Sequence, residues 1–138
     1  MYRRILIGYD GSDSSAKALE TARRLAERDG AEIRVLSVAR PPEVGDDVEA
    51  EAVIENSRRH YQSLLDRLRA TVPAGRINAH FLVTVGHPAQ QIIYNADRHE
   101  VDLIVVGDRG HSKFAQLLLG SVSREVAQHA DRQVLIVR

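Results

Sequence analysis

VDLIVVG, residues 101–107, decides the architecture. Leu103, Ile104, Val105 and Val106 run without a polar interruption. Successive side chains of a strand point to opposite faces, so a strand here is apolar on both. Such strands belong to sheets covered on both sides, the usual setting of parallel sheets. RRILIGYD (3–10) and QVLIVR (133–138) carry short continuous apolar runs, and AEIRVLSVA (31–39) alternates before becoming mostly apolar. INAHFLVTV (77–85) differs, because Ile77, Ala79, Phe81, Val83 and Val85 alternate with Asn78, His80 and Thr84. That pattern predicts a half-exposed strand, most easily placed at a sheet edge.

Helical patterns separate the strands. Ala18, Leu19, Ala22, Leu25 and Ala26 recur at helical spacing within 14–29, Asp13 is an ordinary cap, and Gly30 is a stop. Ile54, Tyr61, Leu64, Leu65 and Leu68 stripe a second helix ended by Pro73. Ala89, Ile92, Ile93 and Ala96 stripe a short third, and Val122, Val126 and Ala130 the last, capped by Gly120 or Ser121. Strict alternation of strands and helices predicts one α/β domain over 1–138: a single open parallel sheet with right-handed crossovers and helices on both faces. RPPEVGDDVEAE (40–51) reads as an acidic surface loop, with a lid over a site as the alternative.

Composition narrows the function classes. Nineteen basic and nineteen acidic residues balance, whereas a nucleic-acid or anionic-membrane binder leaves a basic excess. Cysteine is absent, which removes thiolate metal sites and thiol nucleophiles. No apolar run approaches membrane-spanning length, and no leader pattern opens the chain. The expectation is a cytoplasmic protein binding neither nucleic acid nor membrane.

Ligands of open α/β sheets bind beyond the carboxyl ends of the strands, where this chain's unusual residues gather. Strand 1 runs out through Gly8-Tyr9-Asp10-Gly11-Ser12-Asp13, and strand 4 through Gly107-Asp108-Arg109-Gly110. Gly107 leaves the strand end without a Cβ, and Gly110 permits a positive φ, so successive N–H groups can line one concavity. Gly120 then opens the last helix. The free N–H groups of Ser121, Val122 and Ser123, with two of their hydroxyls, suit a polyphosphate. Each glycine alone is equally a turn, terminator or cap; their gathering at one sheet end favours the ligand.

Competing motifs are missing. There is no Gly-Lys pair for a Walker A loop and no G-x-G-x-x-G after strand 1. Asp10 and Asp13 lack the spacing of an aspartyl-phosphate enzyme, and no G-x-S-x-G elbow or histidine ligand pair occurs. His87 and His111 flank the proposed site; polar-loop roles compete with phosphate contact for both. No catalytic residue is assigned.

Taken together, Gly107-x-x-Gly110, nine residues, then Gly120-Ser121 resembles the nucleotide-binding motif of the universal stress protein family. RILIGYDGSDSSAKAL, VGHPAQQI (85–92) and LLLGSVSREVAQHA extend the resemblance over the whole chain. It implies a Rossmann-like five-stranded parallel sheet of order 3-2-1-4-5, of the adenine nucleotide alpha hydrolase type, commonly homodimeric. It makes QVLIVR an edge strand, which a partner subunit would cover through 133–138. Carried over by position, Asp10 would meet the ribose or adenine end, or a metal through water, and the Val38 backbone would contact adenine. Gly107 and Gly110 would line the ribose and α-phosphate, Gly120, Ser121 and Ser123 would hold the β- and γ-phosphates, and Arg109 and Val122 would belong to the same cofactor-binding set. ATP with Mg²⁺ bound mainly by phosphate oxygens is the implied cofactor, and the implied role a nucleotide-dependent regulator. A slow ATPase and a nucleotide-free scaffold are the alternatives. Asp108 stands where binding members more usually carry a small or hydroxyl residue; a carboxylate there repels phosphates unless Arg109 neutralises it or it faces solvent.

Overall fold

The apolar runs form strands β1 (Arg4–Gly8), β2 (Glu32–Ala39), β3 (Ala79–Val85), β4 (Leu103–Gly107) and β5 (Gln133–Val137). Helices α1 (Asp13–Asp29), α2 (Asp47–Thr71), α3 (Pro88–Arg98) and α4 (Ser121–His129) connect them. These elements come from a computed structural model that describes residues 1–73, 75–109 and 119–138. The sheet is parallel throughout, in the order β3-β2-β1-β4-β5. No helix among the described residues is long and apolar enough to cross a membrane.

Each interior strand feeds two cores. Ile5, Ile7, Ile33, Val35, Leu103 and Val105 pack on one face, against Ala18, Ala22 and Ala26 of α1 and Leu65 of α2. Leu6, Leu36, Ile104 and Val106 pack on the other, against Ala89, Ile92 and Ala96 of α3 and Val126 of α4. The alanines of α1 lie four residues apart on one face, and their small side chains let the helix sit close to the sheet. β3 is an edge, with His80 and Leu82 exposed and Phe81 and Val83 turned to the first core. Its alternation is thereby explained.

Three local expectations change. Ser12, not Asp13, caps α1: its hydroxyl accepts from the Ser15 N–H at 3.2 Å, and Asp13 is the first helical residue. A Ser-Asp pair leaves the sequence undecided between two good caps. Helix α2 begins at Asp47, capped by Asp46, so 47–51 are helical and the irregular connection is correspondingly shorter. Finally, α2 buries only Leu65 fully, and Val48 and Val53 at its start are exposed.

Register creates a recess. Gly8, the last residue of β1, pairs with Leu36, while β2 runs on to Ala39 opposite Val85 of β3. On the other side Ile7 pairs with Val105, so β4 also continues past the end of β1. The central strand therefore stops short of its neighbours where the connections diverge, the usual position of a binding crevice.

Candidate functional site

A cleft of about 310 Å³ opens over that recess. Its floor is Gly8, Leu36, Val38, Val106 and Gly107, and Ile92 and Val122 from α3 and α4 add apolar wall. Polar groups reach it from Asp10, Arg40, Arg109, Ser121 and Ser123. A second cleft, of about 280 Å³, lies between α1, α2 and the β2–β3 edge. It is lined by Leu19, Ile33, Leu68 and Phe81, and its Glu20 and Arg23 are paired at 2.7 Å. The first has the convergent polar groups expected of a ligand site.

The β1 exit is held in place by its own turn. The Ser37 hydroxyl donates to the Tyr9 carbonyl at 2.7 Å, and the Tyr9 N–H donates to the Leu36 carbonyl at 2.9 Å. Gly11 has φ +85°, a conformation side-chain-bearing residues avoid. That turn lets Asp10 Oδ1 accept from the Ser12 N–H at 2.9 Å. The hydroxyl of Ser15, a residue 4% exposed, accepts from the Asp10 N–H and donates to the Ser12 carbonyl. Asp10 is thus presented to the cleft by a rigid, hydrogen-bonded loop. Tyr61 of α2 faces it, its phenol held above the usual range by burial and then by the Asp10 carboxylate.

Gly107 does something the sequence did not announce. A Cβ built there would meet Ser14 Oγ at 2.2 Å and the Ser14 carbonyl carbon and oxygen at 2.7 Å. The glycine lets the start of α1 lie directly on the end of β4, and its cleft-facing side is a second property of the same residue.

Asp108 is neither a solvent-facing side chain nor part of the cleft wall. It is 6% exposed, and Oδ1 accepts from the Ser14 hydroxyl at 2.8 Å while Oδ2 lies 3.6 Å from Arg109 Nε. The Ser14 hydroxyl oxygen in turn accepts from the Arg109 N–H. Burial pushes the Asp108 carboxyl up, but the Ser14 hydrogen bond and the Arg109 and Arg138 charges more than offset it, leaving it below its ordinary value. Of the two alternatives, the structure fits neutralisation rather than a solvent-facing side chain: Asp108 turns inward to α1, and the nearby Arg109 charge opposes its own.

The start of α4 is hung on the same residue. The Gly120 N–H and the Ser123 hydroxyl both donate to the Asp108 carbonyl, at 2.7 and 3.2 Å. Gly120 caps α4 without a side-chain hydrogen bond. Its φ of −62° is open to any residue, so backbone conformation does not demand glycine there. Ser121, Val122 and Ser123, the first turn of α4, line the cleft, and the N–H groups of a first turn carry the positive end of the helix dipole. Ser123 is an adjustment: its hydroxyl also donates to the Gly120 carbonyl at 3.0 Å. Its hydroxyl hydrogen is therefore used internally.

The structure thus brings Asp10, Val38, Gly107, Arg109, Gly120, Ser121, Val122 and Ser123 to one cleft. Gly110 and His111 lie outside the described residues. Arg40 and Tyr61 were not anticipated. Arg40 lies two residues past Val38, just beyond the end of β2, a position the sequence makes visible; Tyr61 falls on the apolar stripe of α2, and nothing in its spacing says otherwise. His87, the N-cap of α3, meets Arg40 Nη2 at 3.3 Å through Nε2. Among the described residues no group of three or more His, Cys, Asp or Glu is arranged to hold a metal; Asp10 is the carboxylate in the cleft lining, which suits a cation carried in on phosphates.

Residues 1–138 match the family model described as the universal stress protein family. The chain is 35% identical over 148 residues to universal stress protein YxiE of Bacillus subtilis, covering 100% of both. It superimposes on UspA of Lactobacillus plantarum with TM-score 0.86 at 26% identity, covering 99% and 98% of the two chains. A universal stress protein solved in complex with cAMP is 29% identical with TM-score 0.71, covering 99% and 97%.

Proposed function

Because the chain belongs to the universal stress protein family, we propose that it binds an adenine nucleotide, ATP with Mg²⁺, and acts in the cytoplasm as a nucleotide-dependent regulator of stress response. The observation that carries the reading is the α4 start: a helix end without a side-chain cap among the described residues, its first-turn residues lining a cleft whose floor is apolar and glycine-rich. Backbone donors at a helix N-terminus suit phosphate. The Val38 backbone would meet adenine, and Asp10 the ribose or, through water, the metal. Gly107, Arg109 and Gly110 would border the ribose and α-phosphate, with Gly120 to Ser123 on the distal phosphates.

Turnover is slow or absent in this reading. Phosphoryl transfer needs a positioned base and cation. The Asp10 carboxylate in the cleft is already an acceptor for the Ser12 N–H, and Arg109 stands beside Asp108. A cyclic monophosphate is the second reading, favoured by the 29% identical relative solved with cAMP. Homodimerisation through 133–138 fits the position of β5 at the sheet edge, where Val134 to Val137 are half-buried, since unpaired edges invite strand addition. Sedimentation of a dimer that a proline at Leu135 converts to monomer is the expected result.

Calorimetric titration with ATP, ADP, AMP and cAMP, with and without Mg²⁺, tests the ligand. Saturable heat with ATP is expected. Tighter binding of cAMP than of ATP selects the second reading, and no heat with any of the four leaves a nucleotide-free scaffold.

A further inference from the structure

Two guanidinium side chains border the cleft, and they are held differently. Arg109 Nε lies 3.6 Å from Asp108 Oδ2, so its charge is opposed. Arg40 Nη2 instead meets the imidazole Nε2 of His87 at 3.3 Å. Among the described residues no carboxylate lies within ion-pairing distance of Arg40.

Tautomer chemistry fixes the rest of the chain. A guanidinium only donates, so His87 Nε2 must be the bare acceptor nitrogen and Nδ1 must carry the proton. His87 Nδ1 is buried and has no hydrogen-bond partner among the described residues. The Glu125 carboxylate, on α4 one turn beyond the proposed phosphate donors, faces it at 3.9 Å. The order is Glu125, His87, Arg40, cleft. A carboxylate set directly on Arg40 would cancel its field. A neutral imidazole fixes the guanidinium and leaves its charge intact, with the balancing anion on the far side of the ring.

We propose that Arg40 is a phosphate-binding residue of the nucleotide site, and that His87 is the positioning residue that holds it. The proposal rests on the nucleotide reading of the cleft and adds to it a cation from the end of β2. It predicts that the site prefers phosphorylated adenosines over adenosine more strongly than backbone amides alone would.

The test is calorimetry of wild type, Arg40→Ala, Arg40→Lys, His87→Gln and His87→Leu with ATP, AMP and adenosine, each variant first shown folded by its melting curve. Arg40→Ala should weaken ATP and AMP about tenfold or more, as expected for a lost charge-assisted hydrogen bond, with adenosine unaffected. Arg40→Lys should recover part of the loss. His87→Gln, whose amide oxygen still accepts, should bind nearly as wild type, and His87→Leu should repeat the Arg40→Ala defect in milder form. Unchanged ATP and AMP affinity in Arg40→Ala, or an equal loss for adenosine, overturns the assignment while the nucleotide reading survives. Failure of the wild type to bind any of the three removes that reading, and this one with it.

Discussion

Replacing Gly107 with alanine separates the packing role of this glycine from its place in the cleft. The added Cβ would sit 2.2 Å from Ser14 Oγ and 2.7 Å from the Ser14 carbonyl carbon and oxygen, where unstrained contacts between heavy atoms lie near ~3.5–4 Å. Ser14 Oγ can rotate, but doing so breaks its 2.8 Å bond to Asp108. The Ser14 backbone can yield only if the start of α1 moves off the sheet. Overpacking costs about 1–3 kcal/mol, and a lost hydrogen bond to a charged group about 1.5–3 kcal/mol. These overlap, so a net loss of about 3 kcal/mol is expected, which lowers the melting temperature by roughly 10 °C in a domain of this size. The assay is thermal unfolding followed by circular dichroism without nucleotide. Adding Ser14→Ala should recover less than half of the loss, because the two backbone contacts remain. A Gly107→Ala melting curve within about 2 °C of wild type would refute the packing argument, since that corresponds to less than about 1 kcal/mol.

Other expectations can be checked in the same way. Asp108→Asn should melt below wild type at pH 7. The folded-state carboxyl is held below its ordinary value, so its contribution is complete above the usual carboxylate range and is lost as pH falls through the folded-state value. The gap between the two melting curves should therefore narrow below about pH 4. Ser12→Ala removes the α1 cap and should cost about 1 kcal/mol by urea unfolding, whereas Asp13→Ala should cost less. Gly120→Val should keep the fold, because its φ of −62° suits valine, yet abolish heat on ATP titration. Retained affinity would move the phosphates elsewhere.

Much of the fold was legible because it rests on local patterns. Ile5 to Ile7, Leu103 to Val106 and Val134 to Val137 declare two-faced strands, and the alternation of Ala79 to Val85 declares an edge. The strand order follows from the family resemblance rather than from periodicity, which cannot choose among parallel orders. What escaped is what depends on contacts distant in sequence. Nothing near Gly107 says that Ser14 will lie upon it, and nothing near Asp108 says its carboxylate will turn to the same serine. Ser123 was read as a ligand hydroxyl because its partners, the carbonyls of Asp108 and Gly120, depend on how the intervening chain closes. Tyr61 illustrates the same limit: helical spacing says which residues share a face, but not that one end of a long helix passes a cleft.

Amide chemical shifts of the ¹⁵N-labelled protein during ATP titration test the central claim most directly. The largest changes are expected at Ser121, Val122 and Ser123, smaller ones at Asp10 and Val38, and none at Leu19 or Phe81 in the second cleft. Shifts centred on that second cleft, or an unchanged α4 amide set at saturating nucleotide, would contradict it.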